Sequence, residues 1–487
     1  MKTTLINAGP TKRFFVEMLT RDIELADAIL DLLDNCVDGI VRDLKRKNEA
    51  ITNRSPYQGY WAKIIVSPEK FEIWDNCGGI AEDIAQKSAF MLGRPDLNRD
   101  DDIETVGMYG IGMKRAMFKM GKHSVVVSHP VDEEPYRVEI PPEWLVDEEK
   151  DDDSKNQSDP WKLVLTETKK GLDECGTRIT VTQLYGGIAR QFNEDETAFI
   201  AELIEEISRH YALIIEKGFT VSVNGNKIKP VSLTLLTPQE VGSGETAAIE
   251  PYVFVGDFDG VHVDLAVGFY RALVTENELE DEAKVSRSRE YAGWTVICND
   301  RVVLYNDKTH KTGWNTKGIT PGYHNQFISI SGVVVFRSNH SMKLPLNTTK
   351  RGLDRDSEIY QLVLDYMREG LKKFTSFTNH WKKREEETQE AFRKLAPRKT
   401  TEISSSVRAE KLSNVAKVKG IGTAKRYSPE LPKPQATQKQ LRICFVADKA
   451  DIELVADHYF SDRQTERSEV GKRCFQEAVE KAREGEA

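Results

Sequence analysis

The sequence predicts an α/β protein of several domains, in which helices alternate with mixed or antiparallel strands. Three observations predict this class. The chain has 487 residues, which is long enough for several hydrophobic cores. Apolar residues recur at helical spacing over 22–47. Short runs rich in β-branched and aromatic residues follow in two clusters, one reaching about residue 235 and one within 245–375.

The first helix, expected over 22–47, carries its acidic residues on one side. Asp27, Asp31, Asp34 and Asp38 fall within about 60° of each other on a helical projection. Like charges at this spacing destabilise a helix by roughly 0.2–0.5 kcal/mol per pair, and no Lys or Arg lies among them. The acidic face is therefore either simply solvated or turned towards a ligand that brings positive charge.

The rest of the first domain, 1–235, is predicted to form an α/β sandwich. A short helix is expected over 81–92 and a second long helix over 197–218. The closing hairpin contains Asn224-Gly225, a pair that favours a type I′ turn. The strands are expected at AKIIVS, KFEIWDN, HSVVVSHP, PYRVEIP, WKLVLTET, GTRITVTQL and FTVSVNGNKIKP.

The second domain, 245–375, is expected to be α/β as well. Its strands are predicted at YVFVGDF, VHVDLAVGFYRA, WTVICNDRVVLY and FISISGVVVFRS, and the helix DSEIYQLVLDYMREGLKKF ends it. Beyond it the sequence predicts a charged helix over 376–396, a flexible basic linker over 397–438 and a small strand-helix-helix unit over 439–487.

Composition excludes several classes of protein. The formal net charge of −9 argues against a surface uniformly coated for nucleic acid, yet residues 393–442 contain 13 Lys or Arg and three Glu. That basic segment is either a soluble tether or a place where nucleic-acid phosphates bind. No apolar run approaches the ~20 residues that span a bilayer, and the six cysteines form no C-x-x-C pair. We therefore expect a cytoplasmic protein without membrane segments, disulfides or a zinc site.

Four short segments carry the residues with chemical potential. The first is the acidic helix face with Asn35 beside it. The second is IWDNCGGI, 73–80, where an acid and paired glycines follow a strand, so that backbone can approach a ligand closely. The third is VGMYGIGMKRAMFKMG, in which Gly107, Gly110 and Gly112 precede a helix and aim N–H groups at an anion such as phosphate. The fourth is GTRITV, which opens a strand. Each alone is compatible with a plain turn or cap, but the ordered set indicates a nucleotide site.

Other nucleotide signatures are absent from the sequence. No G-x-x-x-x-G-K-[S/T] segment occurs, which excludes the P-loop class. GIGMKR and GIGTAK lack the third glycine of a dinucleotide fingerprint, and no H-E-x-x-H occurs. A nucleotide site, if present, must therefore use the four segments above.

In this order the four segments resemble the motifs of the GHKL ATPases, a superfamily that includes the gyrase B subunit, the heat-shock chaperone of ninety kilodaltons, histidine kinases, MutL and the MORC ATPases. The resemblance covers about residues 14–235, and AILDLLDN and YGIGMKRA look closest to MORC-type proteins. It implies a Bergerat-fold α/β sandwich that binds ATP with Mg²⁺. A histidine kinase is disfavoured, because no phospho-accepting His helix is evident in the sequence.

The resemblance implies roles for individual residues. Asn35 would coordinate Mg²⁺, and Asp75 would accept a hydrogen bond from the adenine amino group with support from Thr177. Asp31 stands where the relatives have a Glu that activates the hydrolytic water, so it is the expected general base. Because Asp is one methylene shorter, hydrolysis is expected to be slow. The other expected nucleotide-binding residues are Asp34, Asp38, Asn76, Gly79, Ile80, Gly107, Gly110, Ile111, Gly112, Met113 and Lys114.

The second domain adds KLPLNTTKRGLD, 343–354. It resembles the transducer-domain loop of the chaperone, gyrase and MutL branches, in which a basic residue reaches the γ-phosphate, and Lys350 is the matching residue. Such a contact would make domain closure depend on ATP rather than ADP. The resemblance thus implies an ATP-gated, homodimerising switch or clamp, with DNA transactions or anti-phage defence as settings. The alternatives are a chaperone-like ATPase that binds client proteins and a nucleotide sensor with little hydrolysis.

The C-terminal unit, 439–487, weakly resembles a ribbon-helix-helix DNA-binding unit. Residues 437–487 hold nine Lys or Arg against eleven Asp or Glu, however, and a net negative charge does not favour binding to a polyanion. Dimerisation or contact with a protein partner is at least as well supported as DNA binding.

Overall fold

The fold is taken from a computed structural model of the chain. It describes residues 11–49, 55–91, 93, 104–105, 110–145, 161–168, 172–194, 197–239, 248–275, 278–279, 282–347, 352–382, 384–415, 422–434 and 446–485. The chain divides into two compact units, Met1–Lys433 and Pro434–Ala487. The larger unit contains two sheets, each with its own hydrophobic core.

The first sheet is formed by strands that the sequence predicted. They are β1 (Trp61–Val66), β2 (Lys70–Asp75), β3 (Gly121–His129), β4 (Tyr136–Ile140), β5 (Leu165–Glu167), β6 (Gly176–Leu184), β7 (Thr220–Val223) and β8 (Asn226–Lys227). Across the sheet they run in the order β5-β4-β3-β6-β2-β1-β7-β8. Neighbours are antiparallel except β1 and β7. Buried and more exposed residues alternate along β1 and β2, so one face of the sheet covers the core.

The helices of this region supply the other layer. They are α1 (Lys12–Arg21), α2 (Leu25–Arg46), α3 (Glu82–Ile84), α4 (Gly112–Met120), α5 (Gly186–Gln191), α6 (Phe199–His210) and α7 (Ala212–Glu216). The helix predicted over 22–47 is confirmed as α2, and its apolar residues Ile29, Leu33 and Ile40 are fully buried. The β7–β8 turn is confirmed as well, since Asn224 and Gly225 both have positive φ, 47° and 81°.

Two predicted helices differ from the structure. The helix expected over 81–92 is only α3 followed by a π-helical turn, Ala85–Ala89. The helix expected over 197–218 is interrupted at Tyr211, whose ψ of 16° ends α6 before α7 begins. The Tyr211 side chain is fully buried and donates to the Leu30 carbonyl at 2.7 Å, a tertiary bond that sequence periodicity does not reveal.

The second sheet follows in the chain. Its elements and their neighbours are β9 (Thr234–Thr237), β10 (Tyr252–Phe258), β11 (Val261–Phe269), α8 (Glu282–Arg289), β12 (Gly293–Cys298), β13 (Arg301–Asp307), β14 (Ile330–Arg337), α9 (Glu358–Trp381), α10 (Glu385–Arg393), β15 (Ala396–Lys399), α11 (Thr400–Ser406), β16 (Ser413–Val415) and β17 (Gly422–Tyr427). The sheet order is β13-β12-β14-β11-β10-β17-β16, and β15 pairs separately with β9. The apolar side of α9, including Leu371 and Phe374, packs into the core of this sheet.

The prediction of a flexible basic linker over 397–438 is wrong for the part of this segment that the structure describes. β17 pairs with β10 over six residues, and β16 extends the same edge. From α11, Ile403 and the neighbouring Val407 are buried against Leu235 and Val253. Single apolar residues scattered among polar ones anchor this segment, and that pattern resembles a linker when only composition is considered.

The C-terminal unit is described from residue 446 and contains α12 (Lys449–Phe460) and α13 (Arg467–Gly485). Both predicted helices are confirmed, whereas most of the predicted strand LRICFVAD lies outside the described residues. Within the described helices, Ala456 and Val470 are the buried residues.

None of the helices among the described residues combines the length and the apolar character needed to cross a bilayer.

Candidate functional site

A cleft lies between α2, the end of β2 and the start of α4, and most of the predicted site residues line it. The cleft is open to solvent, and the space it encloses together with its mouth is about 1140 Å³. The predicted residues on its wall are Asp31, Asn35, Asp38, Asp75, Gly79, Ile80, Gly110, Ile111, Gly112, Met113, Lys114 and Thr177. Residues far apart in the sequence therefore meet in one cavity.

One residue of α2 is presented to the cleft in a distinctive way. Along the fully described stretch 28–41, Asn35 is the only exposed residue, and the others are buried or half-buried. A solvated position in the middle of a buried helix has to face an opening, and Asn35 lines the cleft. Its amide oxygen is thus available to a ligand or a metal ion.

Asp75 lies at the floor of the cleft and is 7% exposed. Its Oδ1 accepts hydrogen bonds from the backbone N–H groups of Cys77, at 2.8 Å, and Thr177, at 3.3 Å. The Cys36 thiol donates to Oδ2 over 3.5 Å. Burial raises the pKa of Asp75 to about 6, although these hydrogen bonds oppose the rise. The two backbone amides fix one carboxylate oxygen, so the orientation of the other is set in advance.

The turn after Asp75 brings the backbone close to β3. Gly79 has φ 72°, and a Cβ there would stand 2.4 Å from the His129 carbonyl oxygen, so only glycine fits. The next residue, Ile80, is held by a hydrogen bond from its N–H to the Ser128 hydroxyl at 2.8 Å. The structure thus forms the tight turn that the paired glycines of IWDNCGGI predict.

The glycine-rich turn forms the opposite wall. Gly110 has φ 66°, and α4 begins at Gly112 with its N-terminal amides in the cleft wall. Lys114 donates to the Ala89 carbonyl at 2.8 Å and to the Gly110 carbonyl. Its ammonium group therefore joins the π-helical turn to the glycine turn and places positive charge in the same wall.

Arg115 is a cleft residue that the sequence analysis did not single out. It is 8% exposed, lines the cleft and forms an ion pair with the Asp31 carboxylate. The sequence did contain a sign of this residue's place in the cleft, because Arg115 follows Lys114 within the YGIGMKRA motif. The expected general base is thus already paired with a cation.

Two predicted residues do not line the cleft. Asp34 lies beyond the edge of the cleft, where its Oδ1 accepts from Tyr211 Oη at 2.6 Å and from Arg301 Nε at 2.8 Å. Asn76 instead bonds backbone groups near the start of β1, including the Trp61 N–H at 2.7 Å. Both positions were predicted as nucleotide-binding, and the structure gives them packing roles.

Two further predictions, Gly107 and Lys350, lie outside the described residues. Among the described residues, no cluster of three or more His, Cys, Asp or Glu side chains is arranged to hold a metal ion. The protein part of the expected Mg²⁺ site is a single amide, Asn35, and its exposure in the cleft fits an ion whose other ligands are phosphates and water.

Compared with known proteins, the chain matches no family profile and no curated sequence.

Proposed function

We propose that this protein binds Mg-ATP in the cleft and hydrolyses it slowly, and that the nucleotide acts as a switch that favours a homodimer. The observation that carries the proposal is the pairing of a pre-oriented buried carboxylate, Asp75, with an exposed amide and a helix N-terminus in one cavity. These groups match the three chemically distinct parts of a nucleotide triphosphate with its metal.

The base is assigned to Asp75. Since Oδ1 is saturated by two backbone N–H groups, Oδ2 is the acceptor for the exocyclic amino group of adenine. Apolar residues of the same cavity, including Ile73 and Ile179, supply the surface against which a planar base packs. A base with a carbonyl oxygen at that position would place two acceptors in contact, which disfavours guanine.

The phosphates are assigned to the wall made by Gly110–Lys114. Backbone amides at the start of α4 and the Lys114 ammonium group provide donors and positive charge. Mg²⁺, when bound, neutralises phosphate charge and orients the terminal phosphoryl group. Asn35 contributes the protein ligand to that ion and so joins the triphosphate to α2.

Slow turnover follows from the state of Asp31. The Asp31 carboxylate is engaged by Arg115 in an ion pair, so it has to leave this partner before it can accept a proton from water. The same observation favours a second function, nucleotide sensing without turnover, in which Arg115 remains on Asp31. A chaperone-like ATPase remains the third reading of the same cleft.

The test compares wild type with Asp31→Asn and Asn35→Ala for ATP binding with and without Mg²⁺, phosphate release, and molar mass by light scattering. We expect Asp31→Asn to bind ATP and dimerise while its turnover falls on the order of 100-fold or more. Asn35→Ala should lose at least about tenfold of the Mg²⁺-dependent affinity. Asn414→Ala, an exposed asparagine of β16, is the matched control and should behave as wild type.

Three outcomes separate the readings. Wild-type turnover in Asp31→Asn means that another group activates water. ATP binding without phosphate release in wild type selects the sensor, and stimulation of turnover by unfolded protein rather than by DNA selects the chaperone. Absence of any ATP binding in wild type overturns the proposal as a whole.

A further inference from the structure

The turn between β12 and β13 belongs to the second sheet but is buried against the helices and connecting segments of the first region. Asn299, Asp300 and Arg301 are 3%, 0% and 1% exposed. Asn299 and Asp300 both have positive φ, 45° and 66°, as in a type I′ turn. Hairpin turns normally lie in solvent, and burying charged side chains is costly unless each one is paired. A buried Asn-Asp-Arg turn therefore has to be explained by what it contacts.

Arg301 contacts the back of α2. Its Nε donates to Asp34 Oδ1 at 2.8 Å, and its guanidinium group lies over the Tyr211 ring, 4.4 Å from the centroid. The Tyr211 hydroxyl lies 2.6 Å from the same Asp34 oxygen, which shares the single hydroxyl proton with the Leu30 carbonyl. Burial raises the pKa of Tyr211, so the hydroxyl stays protonated and remains a donor. Asp34 is thus fixed by two donors from outside its own helix.

The neighbouring Asp300 holds the turn in place. It accepts from Tyr57 Oη at 2.8 Å, from Lys217 Nζ at 2.7 Å and from Arg337. Two carboxylates, three cations and two tyrosines thus form one connected group of contacts. We call this set the inter-sheet cluster: Asp34, Tyr57, Tyr211, Lys217, Asp300, Arg301 and Arg337.

The same turn also reaches the segment that precedes the glycine-rich wall. Asn299 Nδ2 donates to the Thr105 carbonyl at 3.1 Å, and Arg337 bonds Glu104 at 3.2 Å. The turn is therefore joined to α2 through Arg301 and Asp34 and to Thr105 through Asn299, while Arg337 of β14 contacts both Glu104 and Asp300.

Asp34 is adjacent to Asn35 in α2, and the two side chains point about 100° apart on the helix. A helical turn is rigid, so a shift of Asp34 moves Asn35 and Asp31 with it. From this geometry we infer that Arg301 is a positioning residue for α2: it sets where Asn35 stands in the cleft and carries that position to the second sheet. The statement about Mg²⁺ rests on the proposed function, while the positioning of α2 does not.

The test uses Arg301→Lys in the full-length protein. Lysine keeps the charge but lacks the planar fork that bonds Asp34 and stacks on Tyr211. We expect amide hydrogen exchange over residues 30–38 to accelerate at least tenfold without nucleotide. The Mg²⁺-dependent gain in ATP affinity should fall at least tenfold, and ATP binding without Mg²⁺ should change less than threefold. In wild type, bound Mg-ATP should slow exchange over 299–302.

The matched control is Arg426→Lys, which alters another Arg–carboxylate contact of the second sheet, to Glu369 at 2.8 Å. This variant should change neither amide hydrogen exchange over residues 30–38 nor the Mg²⁺-dependent gain in ATP affinity. If Arg301→Lys does not fold, the double variant Asp34→Asn/Arg301→Met is measured in its place. It removes both charges of the pair, so that neither is left buried alone.

Each result decides the inference. Unchanged exchange over 30–38 in Arg301→Lys overturns the positioning of α2. A second result also overturns the inference: faster exchange spread evenly over the first sheet, with an unchanged Mg²⁺-dependent gain in ATP affinity. Arg301 would then be a structural contact without an effect on the position of α2. If wild type binds no ATP, the proposed function fails, and exchange over 30–38 still decides whether Arg301 positions the helix.

Discussion

The cleft and the inter-sheet cluster both bury carboxylates next to α2, and they treat them in opposite ways. In the cluster, burial would raise the pKa of Asp300, but the charges of Arg337 and Lys217 reverse that direction and hold the pKa below its ordinary value. In the cleft, burial dominates and raises the pKa of Asp75 to about 6, because its contacts are amides and a thiol rather than cations. Asp300 is compensated by cations, whereas Asp75 is held by amides and a thiol, so a ligand bound at Asp75 has to supply a further donor.

The largest expected effect on stability comes from removing Asp300, the carboxylate that is paired with cations. Asp300→Ala leaves the half-buried Lys217 without its carboxylate and the half-buried Arg337 with Glu104 alone, and it should cost roughly 3–5 kcal/mol of unfolding free energy. Urea denaturation followed by circular dichroism measures it. Asp365→Ala, which breaks an exposed pair with Arg368, is the control and should stay within about 0.5 kcal/mol of wild type. Equal losses of unfolding free energy in the two variants would show that the ion pairs of Asp300 stabilise the protein no more than the Asp365–Arg368 pair does.

Asp75→Asn is expected to stabilise the protein while it damages the site. The pKa of Asp75 in the folded state, about 6, lies above its ordinary 3.8, so the ionised group costs stability above pH 6 and nothing below about pH 4. The substitution should therefore add up to roughly 3 kcal/mol at pH 8, and the gain should vanish as the pH falls. The backbone amides select the new carbonyl oxygen, which turns the new NH₂ group towards the adenine amine.

Two donors then face each other, and ATP affinity should fall on the order of 100-fold. Calorimetry at pH 8 and pH 4, with ATP titrations at pH 8, measures both sides of this trade-off. Destabilisation at pH 8 would show that Asp75 is compensated in the same way as Asp300.

A smaller effect is expected from pH on the wild-type protein. Because only the ionised carboxylate offers a free acceptor, ATP affinity should fall as the pH drops through about 6, by about tenfold between pH 7 and pH 5. Titration of Asp75→Asn over the same range provides the baseline, which should be nearly flat. A wild-type profile parallel to that baseline would assign the titration to the phosphates rather than to the protein.

The smallest expected effect concerns the thiol on Asp75. Cys36→Ala removes a weak donor to Oδ2 and should move the midpoint of the pH profile slightly upward, because the carboxylate loses part of its stabilisation. The free energy of binding at pH 8 should change by less than about 1 kcal/mol. A shift of the midpoint to lower pH would mean that the thiol hinders ionisation instead of assisting it.

The cleft was more predictable than the surroundings that hold it. The ordered motifs located Asp75, Asn35 and the glycine turn, because their chemistry is encoded in short local patterns. Asp34 was misassigned because helical projection groups it with Asp31, whereas the cleft is centred between Asp31 and Asn35, and Asp34 lies about 100° from Asn35. Its cation comes from Arg301, 267 positions along the chain, a distance over which local pattern carries no information.

Two other differences have similar causes. The linker prediction failed because β17 pairs through backbone atoms, and composition does not report such pairing. The sequence did contain a sign of the buried hairpin: NDR lies between the apolar runs WTVIC and VVLY. An ionic turn between two buried strands has to find partners inside the protein.

The closeness of Asp31 and Gly112 has a consequence for how this sequence can change by mutation. A Cβ at Gly112 would stand 3.2 Å from Cβ and 3.3 Å from Cγ of Asp31, so the shorter acid and the absent side chain fill one space. Replacing Asp31 with the longer Glu and replacing Gly112 with Ala would each place additional atoms in this same space. The two sites should therefore show negative epistasis, and a lineage that acquires a longer base has to rearrange the start of α4 in the same step.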